Sequence, residues 1–157
     1  MDDIVVARAL HVAAVVLWIG GVGFVTTVLL PTIRRRANAE EGLRSFDAFE
    51  SGFARQARIT ILLAGASGLY LLVRLDLWYR FAEAGFWWMH AMVMVWLLFS
   101  AMLFAAEPLF LHRWIKAAAR TAPAGTFRAI EWLHRLLLAL SLLTVLGAVA
   151  GSHGLLY

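Results

Sequence analysis

From position 9 to position 33 the chain carries no Asp, Glu, Lys or Arg, and about 20 apolar residues are enough for a helix to cross the hydrocarbon core of a bilayer. This pattern predicts a first membrane helix over about 4–31, ending near Pro31. The next segment mixes both signs of charge and spaces Leu43, Phe46, Phe49 and Phe53 three and four residues apart, so one helical face is apolar. It reads as an interfacial helix over about 39–56, lying on the membrane surface. A second span over 57–79 is charge-free only from 59 to 73. It therefore requires Arg74 to snorkel outward and Trp78 and Tyr79 to sit in the headgroup belt. A third span, 85–111, opens with Phe86, Trp87 and Trp88 and runs uncharged to Glu107-Pro108; the fourth, 127–153, is uncharged from Leu136 onward. No repeat or low-complexity tract interrupts the series. The expectation is an all-α integral membrane protein, a four-helix up-down bundle forming a single transmembrane domain over 1–157.

Composition removes the soluble alternatives. Of the 157 residues 62% are hydrophobic and 15% charged, where a soluble domain carries about a quarter charged residues; mean hydropathy is +0.78. The absence of cysteine excludes disulfides, thiolate zinc, iron–sulfur clusters, covalently attached haem and cysteine nucleophiles. Metal chemistry is left to His, Met, carboxylate or backbone. Met-Asp-Asp at the start lacks the basic region of a secretory signal, so the first apolar run is read as a mature membrane helix. A net charge of +4 would suggest nucleic acid in a soluble protein, but here the basic residues flank apolar spans, and no nucleic-acid partner is expected. Of the 14 Lys and Arg, only Arg8, Arg74 and Arg80 fall outside the connections after spans one and three. The positive-inside rule then places both termini on the periplasmic or extracellular side of the inner (plasma) membrane.

That topology sorts the five histidines. Spans one and three run in the same direction, so His11 and His90, each roughly 5–10 Å below its helix start at 1.5 Å rise per residue, share a depth near the outer side. His153 closes span four on that side, as a frayed end or a lid. His112 and His134 fall among the inner basic connections and read as interfacial. Ionisable side chains inside a span are costly and mark function, so His11 and His90 read as a ligand pair; the alternative is a structural interhelical hydrogen bond. Two neutral imidazoles suit haem iron in a bundle core, which makes haem b the expected cofactor. Gly65 and Gly68, like Gly20, Gly21 and Gly23, remove bulk where a porphyrin could press on backbone, although small residues equally let helices pack. Trp18 lies on the His11 face. Arg8 and Arg74 are candidates for the propionates or for lipid phosphates. Copper is the competing metal, with Met89 and Met92 as soft ligands beside His90, and His11 or His153 completing the set; in apolar helices Met is also ordinary filler. Glu107 is expected to pair with Arg113 or His112.

His11 with Trp18 and Gly20-Gly21, then Gly52-Phe53-Ala54-Arg55 ahead of a helix carrying Gly65 and Gly68, resembles the opening of CopD-like copper-resistance membrane proteins and of the HemJ-like protoporphyrinogen oxidase group. The likeness covers the first half of the chain and, more loosely, the third span. It implies a first-helix histidine bound to haem b. The HemJ-like group typically has a lysine on the third helix where this chain has His90, a departure that favours bis-imidazole ligation over that oxidase activity. Such ligation leaves no open iron position and so points to electron transfer or a membrane oxidoreductase, with a quinone or a periplasmic redox protein as partner, in a monomer or a homo-oligomer. The alternatives are a CopD-like copper uptake protein and a cofactor-free accessory subunit.

Overall fold

The computed structural model of the chain describes residues 2–36 and 38–154, and only the backbone of Arg36, Ser51, Phe110 and His112; the interfacial reading of the His112 side chain lies outside this set. Among the described residues no strand occurs. Helix α1 (Asp2–Phe24) passes through a π-helical turn (Val25–Leu29) into α2 (Leu30–Arg36). Helix α3 (Ala39–Arg74) comes next, then two short 3-10 turns. Helix α4 (Trp87–Ala101) continues through a second π-helical stretch (Met102–Leu111) into α5 (His112–Thr121), and α6 (Pro123–Ser152) closes the fold. Four stretches are long and apolar enough to cross a membrane: Asp2–Arg35, Gly52–Arg74, Ala84–Leu109 and Pro123–Ser152. Their outward faces carry large apolar side chains such as Val16, Leu62, Met94 and Leu146, each more than half exposed, a surface that calls for lipid.

Local chemistry accounts for the irregular stretches. Thr26 and Thr27 donate their hydroxyls to the carbonyls of Val22 and Gly23, both at 2.7 Å, a back-bonding that competes with the helix ladder where the first π turn begins. In the second, Pro108 has no N–H to donate and its ring crowds the preceding turn.

One expectation is corrected. Residues 39–56, expected as a short helix of their own, run on without a break as the first half of α3, and part of their apolar face meets protein while Phe49 stays exposed. Phe46 is buried against Val25, Leu30, Ile33, Phe127 and Ile130, with Leu43 and Phe53 packed on the same cluster. Asn38 caps the helix by accepting from the Glu41 N–H at 3.0 Å. No proline interrupts residues 57–74, so the helix runs on to Arg74.

The central core joins Ala14, Trp18 and Val22 of α1 to Ile61 and Ala64 of α3, Val95 and Phe99 of α4, and Leu137 of α6. Trp18 and Phe99 meet edge-on at 4.9 Å. Glycines admit rings at several crossings: a Cβ on Gly65 would lie 2.6 Å from Trp96, and Phe53, Trp87 and Trp88 press in the same way on Gly21, Gly147 and Gly151. Trp96 Nε1–H also donates to the Ile61 carbonyl at 2.9 Å. At the far end of α3, Tyr70 and Arg74 both donate to Asp3, at 2.8 and 2.9 Å, tying its last turn to the start of α1.

Candidate functional site

His11 is half-buried on α1 and faces α3. Its Nδ1 lies 3.0 Å from the Ala64 carbonyl and 3.2 Å from Ser67 Oγ. A carbonyl can only accept, so Nδ1 carries the proton. Ser67 spends its own hydroxyl proton on the Leu63 carbonyl at 2.6 Å, which leaves its oxygen to accept from His11 as well. The ring rests over Gly68, where a Cβ would come 3.0 Å from Cε1. Nδ1 is thus committed and the lone pair remains on Nε2. This is the arrangement by which a backbone carbonyl, bonded to the other ring nitrogen, fixes the tautomer of a metal-binding histidine.

His90 has different neighbours. It is exposed on α4 and packs edge-on against Phe81 at 5.2 Å. Trp96 reaches α3 at Ile61 and Gly65 while His11 reaches it at Ala64, Ser67 and Gly68. This antiparallel register sets His90 about one turn, roughly 5 Å, nearer the Asp3 end than His11. Among the described residues no hydrogen bond or ring contact joins the two.

The other sequence candidates scatter. Arg74 is engaged by Asp3, and Arg8 is exposed, one turn before His11. Trp18 is a core residue whose buried Nε1–H has no partner among the described residues. Gly65 is covered by Trp96 and Gly68 by His11 itself. Met89 is buried and Met92 partly buried, both in a cluster with Phe86 and Trp88. His153 ends α6, exposed, with Nδ1 bonded to the Val149 carbonyl at 2.8 Å. Among the described residues no three His, Asp or Glu converge as a metal cage would require.

A second polar group lies at the arginine-rich end. Glu107 pairs with Arg58 at 2.8 Å, where Arg113 was expected, because α3 runs beside the second π stretch; the expected His112 alternative lies outside the described side chains. His134, read as interfacial, stands inside the fold, edge-on to Phe46 at 5.5 Å with its Nδ1–H donated to the Ile130 carbonyl at 2.9 Å. Its spacing of three and four from Ile130 and Leu137 was the available signal, since those two are buried. Glu131 is only 4% exposed; one oxygen meets Arg34 at 3.5 Å and the other has no partner among the described residues.

Glu50, on the flank of the Phe46 face, belongs to the same end. Burial first, then the carboxylates of Glu107 and Asp47, push it up to about 7. From the ordinary carboxylate range up to about 7 the folded chain keeps a proton that the unfolded chain releases. Stability therefore falls as pH rises through that window and levels off above it. Replacing Glu50 with Gln is expected to flatten the slope, read as thermal unfolding in detergent at about pH 5 and about pH 8; an unchanged slope assigns the effect elsewhere.

No family model, curated protein or solved structure matches this chain.

Proposed function

We propose that this chain is an up-down bundle of four membrane-crossing helices in the inner (plasma) membrane, with both termini on the outer side, that binds b-type haem through His11. The observation that carries this reading is the Nδ1–H···O=C bond from His11 to Ala64, which holds the ring and leaves the Nε2 lone pair for an axial bond. The first-half resemblance to CopD-like and HemJ-like membrane proteins favours the same residue. Bound haem would supply a one-electron couple, suiting electron transfer or a membrane oxidoreductase with a quinone or periplasmic partner.

The residues divide the work. Ala64 and Ser67 orient His11. His90 is the second imidazole candidate, and its one-turn offset is small against the 8–10 Å that separates packed helices. With Arg74 held by Asp3, Arg8 is the cation placed to meet the propionates, since it lies three residues before His11 and shares its face.

The test is one optical spectrum of the detergent-purified chain, oxidised and then reduced. A Soret band that shifts and sharpens on reduction is the expected result. A preparation that is colourless, and stays so after haemin is added, sinks the reading; stoichiometric copper in it would put the metal at His11 with Met89, Met92 or His153.

A further inference from the structure

At the arginine-rich end, away from His11, a cavity of about 360 Å³ lies between α1, α3, the second π stretch and α6. Small-molecule sites run from about 300 to 1,000 Å³. Both π-helical segments furnish its walls, Val25 and Leu29 from the first, Met102, Leu103 and Glu107 from the second. Such departures from the regular ladder are rare and recur at functional sites. Here two on different helices face one space.

The lining has a definite chemistry. Its body is apolar, with Trp18, Phe53 and Phe99 contributing rings among aliphatic side chains. Its ionisable members are acceptors: the carboxylates of Glu50 and Glu107, and His134, whose Nδ1–H is already given to Ile130 so that Nε2 can only accept. Against the two carboxylates stands Arg58, which pairs with Glu107 at 2.8 Å and also donates to the Leu103 carbonyl at 3.3 Å. With Glu50 ionised, negative charge is in excess inside a ring-walled space. An anion would be repelled and a neutral molecule would leave the excess unanswered. A cation bearing N–H groups answers both, because ammonium donates to carboxylate in strong charge-assisted bonds and aromatic faces attract cations.

We propose that this cavity binds an organic ammonium ion with an aromatic body, its charge received by Glu50 and Glu107 and its body by Trp18, Phe53 and Phe99. The site shares no residue with the His11 seat and stands whether or not that seat holds haem. Cation and proton compete for Glu50, which feels Asp47 on its own helix and Glu107 from the second π stretch; His134 of α6 lines the same cavity, and Arg58 is paired with Glu107.

The full chain in detergent is titrated calorimetrically with 4-phenylbutylamine and, in parallel, with the uncharged 4-phenylbutanol. The expected result is saturable binding of the amine, one per chain, at about pH 8, weakened about tenfold or more by Glu50→Gln and again at about pH 5.5, with no saturable binding of the alcohol. Glu50→Gln is nearly isosteric and breaks no ion pair, so its melting curve certifies the fold; Glu50→Asp should keep part of the affinity. The proposal is overturned if the amine does not saturate, if the alcohol binds equally well, or if Glu50→Gln leaves the amine's affinity unchanged.

Discussion

With His11 as the proposed haem ligand, His11→Ala is expected to abolish haem binding. The reduced-minus-oxidised spectrum should lose its Soret signal, with affinity falling beyond the about 10–100-fold that accompanies loss of a group that merely orients a ligand. Ser67→Ala removes only the weaker of the two acceptors of the Nδ1 proton and should stay within that smaller range. His90→Ala separates two geometries. If His90 is the second axial imidazole, its loss opens an iron position and the spectrum becomes that of a five-coordinate centre that binds carbon monoxide. If the spectrum is unmoved, the second ligand lies elsewhere. A normal spectrum in His11→Ala would withdraw the assignment altogether, and circular dichroism of the same sample shows whether the helices survive.

Gly65→Val should bring a large loss of stability. Its first added carbon would fall 2.6 Å from the Trp96 ring, and the glycine sits on a backbone that cannot retreat without moving all of α3. The indole must withdraw, giving up its 2.9 Å bond to the Ile61 carbonyl. Overpacking of this kind costs about 1–3 kcal/mol, and the stranded N–H adds about 1 kcal/mol or more in an apolar surround. Thermal unfolding in detergent reads the total. The double variant Gly65→Val with Trp96→Ala should be less damaged than the two single losses summed, because the clash has been removed with the ring. Additive losses would mean that glycine and indole do not interlock.

These two expectations mark where the sequence was legible. Uncharged runs of membrane length read directly as helices, since the bilayer fixes both length and composition. The amphipathic face at Leu43, Phe46 and Phe53 was equally visible, but an apolar face does not name what covers it. Lipid surface and the flank of α6 make the same demand on the sequence. The glycines posed the same ambiguity: space against backbone at Gly65 and Gly68 was foreseen for a flat ligand, and Trp96 and His11 are the flat groups that take it. His11 stood out because a charged or polar ring is costly inside a span; its partner could not be read, since Ala64 acts through a backbone carbonyl that every residue possesses. The enclosure of Glu50, Glu107 and His134 was not legible because they lie near basic connections, where sequence position suggests solvent and only tertiary packing encloses them.

Helix α3 runs for 36 residues without a proline or π turn, while Ser51-Gly52 and Ser67-Gly68 are pairs of the kind at which long helices bend. Glu50 sits in its first half and the Ala64 carbonyl that holds His11 lies 14 residues on, roughly 21 Å along one helix. A carboxylate-lined cavity and the anchor of an imidazole, chemically separate, thus hang from one continuous stretch of backbone.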